Sequence, residues 1–188
     1  LNPPGTQLPE DAGPLGVSLG GFHDTFFYHQ NGSVYSAAKT LTKEEELQKL
    51  IEITKQTLTQ EEGYTREEVA KVLNITVEDL EKRFMSKLPV RAERFKLRQR
   101  ALHVFDEALR VLRFMKLLEN PVHTGASDTT PFNKELGSLL NETQVSCRDL
   151  YECSCPELDE ICAISLREGS YGARVTGAGW GGCSVHMV

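Results

Sequence analysis

The chain has 188 residues, of which 39% are hydrophobic and 26% charged, the balance of a folded globular protein with room for a core. A net charge of −6 supplies no overall field for nucleic acid or for an anionic membrane surface, so neither is expected as a partner. No run approaches membrane-spanning length, and the expected compartment is the cytoplasm.

In chain order, residues 1–41 read as a poorly specified leader, rich in proline and glycine over their first half. Within them, FHDTFFYHQNGSVYSA carries aromatics on both sides of Asn31-Gly32, a dipeptide that favours tight hairpin turns, and a short hairpin is expected there. From Thr42 the pattern is helical. Thr42 with Glu45 makes a capping box ahead of Leu47, Leu50, Ile51 and Thr54, and Thr65 with Glu68 repeats it ahead of Val69, Val72 and Leu73. Thr76 opens VEDLEKRF, so two short helices are expected around Asn74-Ile75.

After Pro89, residues 91–120 place Phe95, Ala101, Leu102, Phe105, Ala108, Leu109, Leu112 and Met115 on one stripe, which predicts the main amphipathic helix. Pro131 suits the first turn of the next, marked by Leu136, Leu139, Leu140 and Leu150. Ser154 and Glu157 suggest a capping box before Leu158, Ile161, Cys162 and Ser165, with Gly169 as the stop. Two alternating runs close the chain, and the fold class is α+β: mostly helical, with a terminal strand, glycine loop and strand. Ala173 and Val175 are expected on one face with Cys183, Val185 and Met187, opposite Arg174 and Thr176.

GARVTGAGWGG places five glycines in eleven positions. Gly177, Gly179 and Gly182 match a dinucleotide-binding spacing, but that motif needs a helix to follow, and CSVHMV alternates as a strand. A hairpin connection needs only one or two glycines. The remainder would permit left-handed backbone, an anion-binding concavity of N–H groups, or contact with another backbone where a Cβ would collide. Trp180, between glycines, is either a lid on that surface or a plug into the core.

These residues resemble the third, C-terminal glycine motif of the GHMP kinases. NETQVSCRDLYECSCPELDEI resembles the stretch that precedes it in the galactokinases, and RDLYECSCPELD with TGAGWGG is nearest to the N-acetylgalactosamine kinase branch. YTREEVAKVLNITVEDLEKRF and RAERFKLRQRALHVFDEALRVL extend the likeness over about residues 63–188. The resemblance implies the C-terminal GHMP-kinase-type domain, residues 42–188, of an enzyme that transfers the γ-phosphoryl group of ATP, with Mg2+, to C1 of galactose or N-acetylgalactosamine. By motif match it assigns Thr176, Gly177, Ala178, Gly179, Trp180, Gly181 and Gly182 to a loop beside the phosphate and the sugar. Arg148, with Asp149, is a candidate for substrate-side support or for simple capping and pairing on a helix end, and the structural role is favoured because surface ion pairs contribute little. It puts the catalytic base, the sugar-binding signature and the phosphate loop upstream. No catalytic residue and no metal ligand is therefore expected in this chain. Leu1 is no initiator and Val188 stops within an apolar run, so the chain is expected to be an incomplete fragment, inactive alone. A β-branched residue at Gly179 or Gly181 is expected to cut turnover of the complete enzyme at little cost in stability.

Five cysteines, Cys147, Cys153, Cys155, Cys162 and Cys183, form no C-x-x-C pair and are expected as reduced thiols. The sequons at Asn31, Asn74 and Asn141 match a short pattern common by chance and are not read as glycosylation. His103 and His123 lack metal-ligand spacing. The two other readings are a helix-turn-helix nucleic-acid module over residues 65–84 and a structural helical segment without a ligand. The first is weakened because its second helix opens on Glu78, Asp79 and Glu81, where phosphate contacts would need basic or amide groups.

Overall fold

The computed structural model describes residues 18–28, 41–86, 90–119 and 128–188. The chain divides into two compact units, Leu1–Ala101 and Leu102–Val188.

The first unit holds α1 (Leu19–Tyr28), α2 (Lys43–Thr57), α3 (Arg66–Leu73), α4 (Val77–Phe84) and the first turn of α5 (Leu97–Glu119). The hairpin reading fails where it can be compared, because residues 19–28 are helical; Asn31-Gly32 and the leader up to residue 17 lie outside the described residues. The aromatics recur at helical spacing: the Phe22 and Phe26 rings lie 5.8 Å apart, Phe27 is buried, and the Ser18 hydroxyl accepts from the Gly21 amide at 2.9 Å. In α2, Leu50, Ile51 and Thr54 are buried as their spacing requires, together with Glu46. That carboxylate is tolerated inside because His23 Nε2 and Lys43 Nζ both lie 3.0 Å from its Oε2.

Both threonine capping boxes form. Thr42 and Thr65 accept from the Glu45 and Glu68 amides, while those glutamates reach back to the threonine amides at 2.7 and 2.8 Å. Asn74 ends α3 in a left-handed conformation (φ 55°) and Thr76 caps α4, as the sequence suggests. α5 begins later than its apolar stripe. Phe95 exchanges backbone hydrogen bonds with Tyr64 at 2.7 and 2.9 Å, and a residue committed to a bridge cannot start a helix.

The second unit contains the rest of α5, then α6 (Thr130–Ser146), a π-helical turn at Cys147–Tyr151, α7 (Pro156–Arg167), and strands β1 (Gly172–Thr176) and β2 (Cys183–Met187). Leu150 therefore lies in the π turn, beyond the helix it was expected to mark. Cys155, not Ser154, is the N-cap of α7, because the Ser154 hydroxyl is committed to Asp159 at 2.7 Å. The strands pair antiparallel with Thr176 opposite Cys183 and Arg174 opposite Val185. Six loop residues between that closing pair make partners of opposite parity. Cys183, Val185 and Met187 consequently share the face of Arg174 and Thr176, while Ala173 and Val175 share theirs with His186 and Ser184. The expected common apolar face does not form, and Val185 is 46% exposed.

β1 lies against α6. The outer edge of the strand is satisfied by amide side chains: Asn141 Oδ1 accepts from the Ala173 amide at 2.9 Å and Gln144 Oε1 from the Val175 amide at 2.7 Å. This approach needs two small residues, since a Cβ on Gly137 would overlap the Tyr171 carbonyl and one on Gly172 would overlap the Gly137 carbonyl. Cys147, Cys153, Leu158 and Val175 close the core beneath. Gly137→Ala is expected to destabilise the second unit by about 1–3 kcal/mol or more, as overpacking against backbone does. Urea titration followed at Trp180, the chain's single tryptophan, would detect it; an unshifted midpoint would rule out the backbone contact.

Candidate functional site

The loop from Gly177 to Gly182 joins the strands with its backbone in left-handed conformations: Gly177 φ 82°, Gly179 φ 83°, Trp180 φ 56°, Gly181 φ 136° and Gly182 φ 93°. What comes close to it is the chain's own backbone. The π turn ends with Glu152, also left-handed at φ 59°, and closes through the Cys153 amide on the Cys147 carbonyl at 2.9 Å. This turns the Cys153 carbonyl outward, where it accepts the Trp180 amide at 2.6 Å. A Cβ on residue 179 would overlap that carbonyl. Gly179 is thus required by packing, whereas Gly177, Gly181 and Gly182 have nothing within 4 Å of a Cβ position. The other amides of 177–182 make no backbone hydrogen bond to a described residue outside the strand ladder. One side of the loop is seated and the other is open.

Trp180 is not a plug into the core, at 65% exposed. Its ring lies 6.3 Å from Tyr151, which stacks on His103 at 4.7 Å, and His103 Nδ1 meets Ser146 Oγ at 2.9 Å. His103 is accordingly a packing residue, while His123 lies outside the described residues. A bulky side chain in a left-handed conformation is costly, and such residues cluster where a surface serves a ligand.

Glu107 on α5 ties β1 to the helices. Its Oε1 takes Arg174 Nη1 at 2.8 Å and its Oε2 takes the Thr143 hydroxyl at 2.8 Å and Arg110 Nε at 3.1 Å. Burial alone would raise the carboxyl, but the Thr143 hydrogen bond and the charges of Arg174 and Arg110 outweigh it and hold Glu107 below its ordinary range. Two buried thiols, Cys147 and Cys162, are shifted upward by burial, in contrast. Burial, with the neighbouring Cys153, pushes Cys147 up to about 12, and all five cysteines are unpaired.

Arg148 and Asp149 pair with each other on the π turn, Nε to Oδ1 at 2.7 Å and Nη2 to Oδ2 at 3.0 Å, each about half exposed. Thr176 to Gly182 are contiguous along the chain, and the Arg148 guanidinium bonds Asp149 and none of them among the described residues. Sequence reasoning missed Cys153, Asn141 and Gln144. A signal existed for the last two, amides at i and i+3 on an otherwise buried helical face, but a carbonyl's direction leaves no mark in sequence.

Residues 130–188, from α6 to β2, match the family model described as GHMP kinases C terminal. The likeness to a GHMP kinase C-terminal domain thus runs through α6, the π turn, α7 and both strands. The chain is 44% identical over 158 residues to a galactokinase of Saccharomyces cerevisiae, covering 84% of this chain and 28% of that protein. It is 43% identical over 153 residues to a galactokinase of Dictyostelium discoideum, 76% of this chain and 30% of that protein. A galactokinase of Schizosaccharomyces pombe is 38% identical over 186 residues, 97% of this chain and 35% of that protein, an alignment that extends into residues 1–41, where the motifs gave no resemblance. The chain is thus homologous to galactokinases and spans about a third of their length. No described helix is long and apolar enough to cross a membrane.

The stability expectation for Gly179 needs revision. Gly179→Ala should lower the unfolding free energy by more than 1 kcal/mol, roughly the cost of overpacking plus backbone strain, and Gly181→Ala, strained but unobstructed, by less. Paired urea titrations giving the reverse order would undo the assignment of Gly179 to packing. Glu107 sets a pH dependence. Its folded-state carboxyl lies below the unfolded value, so its contribution is complete above about pH 4.3 and lost as pH falls through the folded value. The stability gap between the parent chain and Glu107→Gln should therefore narrow in acid, and a gap independent of pH would contradict the network.

Proposed function

We propose that this chain is part of an ATP-dependent sugar 1-kinase that phosphorylates galactose or N-acetylgalactosamine. The observation that carries the reading is the open, left-handed backbone of Gly177 to Gly182, in a segment homologous to galactokinases. Phosphoryl transfer depends on positioning and on stabilising charge, and unencumbered backbone amides contribute to both. The open side of the loop fits a phosphate chain: three glycines leave space where side chains would stand, and the loop amides other than that of Trp180 make no backbone hydrogen bond to a described residue outside the strand ladder. ATP, bound with Mg2+, would supply the γ-phosphoryl group. Thr176 to Gly182 would line its phosphate and the sugar, and the Trp180 ring would limit access of water.

Arg148 is assigned a supporting place on the substrate side, held in register by Asp149. Residues 42–188 are read as one segment of the kinase's C-terminal domain, cytoplasmic, and inactive without the sugar-binding, phosphate-loop and base-bearing parts. Galactose is supported by the names of the relatives, and N-acetylgalactosamine by the wording of RDLYECSCPELD and TGAGWGG. A small-molecule partner is favoured over nucleic acid, since α4 opens on Glu78 and Asp79.

The test is release of ADP by the complete protein that contains this chain, with Mg-ATP and each sugar. Turnover is expected with one of the two, and none with the 188-residue chain alone. Gly181→Val in the complete protein should lower turnover by roughly tenfold or more, the scale of a misplaced positioning group. The absence of turnover with both sugars would overturn the proposal.

A further inference from the structure

Gln144 is 7% exposed, and its carboxamide is fully used. Oε1 accepts the Val175 amide at 2.7 Å, while Nε2 donates to Ser154 Oγ at 3.0 Å and to Asp159 Oδ1 at 2.8 Å. Ser154 Oγ in turn donates to the same Asp159 oxygen. One side chain therefore joins the strand that enters the glycine loop to the segment that carries the Cys153 carbonyl, on which the loop is seated. Asn141 does only half of this, since its amide bonds Ala173 and Tyr171, both on the strand side. The orientation of the Gln144 amide is also forced. Val175 N–H needs an acceptor and the Asp159 carboxylate needs a donor, so neither an acid nor an apolar residue can serve both.

We propose that Gln144 is a positioning residue for the glycine loop: by fixing β1 against the Ser154 segment it sets Trp180 on Cys153 and thereby the backbone of Gly177 to Gly182. Its kinetic consequence rests on the sugar-kinase reading, and its structural consequence does not. The test is Gln144→Glu, which keeps the shape but sets two carboxylates against each other, beside Gln144→Glu with Asp159→Asn, which returns a donor opposite the new acid.

In the 188-residue chain, amide hydrogen exchange at Trp180 should accelerate roughly tenfold or more in the single variant while α3 amides hold their rates. It should return to within a few-fold of the parent in the double variant. In the complete protein the single variant should lose roughly 10- to 100-fold in kcat, with a smaller change in the sugar KM, and the double variant should regain most of it. Unchanged exchange at Trp180 in the single variant, or a double variant that fails to restore it, overturns the proposal. If the single variant does not fold, a double variant with the parent's Trp180 exchange supports it, and one without overturns it. Altered exchange with unaltered kcat removes the positioning role and leaves the kinase reading standing. An inactive unaltered parent sinks the kinase reading, while the exchange experiment keeps its meaning.

Discussion

The Cys153 carbonyl receives the Trp180 amide only because residue 179 has no side chain, and the geometry of the second unit is arranged around that contact. The last carbonyls of a helix have no donor within it and must find a partner elsewhere. Here the π turn of residues 147–151 and the left-handed Glu152 redirect the chain, so that Cys153 N–H closes the turn while its carbonyl faces the loop. The two blocks that carry the family likeness, separated in sequence, are thus halves of one seam.

The seam works only if β1 stands at the right height. α6 provides this twice, by a glycine-to-backbone contact at Gly137 that brings helix and strand together and by two carboxamides that occupy the strand's outer edge. Asn141 has both ends of its amide engaged with β1 and its flank. Glu107 adds an electrostatic tie through Arg174, on the face opposite Val175. A loop seated this firmly on one side presents an open backbone on the other without collapsing, the arrangement that preorganised recognition of a charged group demands.

Local chemistry was legible wherever the interaction was local. The capping boxes of α2 and α3, the Thr76 cap and the glycine stop after α7 follow from residues three or four apart and formed as read. Errors arose where tertiary partners competed. Phe95 left its helical stripe for a bridge with Tyr64, and Ser154 left its capping position for Asp159. The aromatic run of 22–27 has a hairpin's composition but a helix's spacing, and α1 followed the spacing.

By itself, then, the sequence determined the helical class of the chain, the helix boundaries set by caps and the strand–loop–strand ending, because each depends on backbone sterics within a few residues. Only the tertiary structure decided which glycine was needed for contact and which for openness, which face of β2 meets Arg174, and which amide holds the strand edge. Those outcomes depend on loop parity and on the directions of carbonyl groups brought together from distant parts of the chain, and neither quantity is encoded in the identity of any one residue.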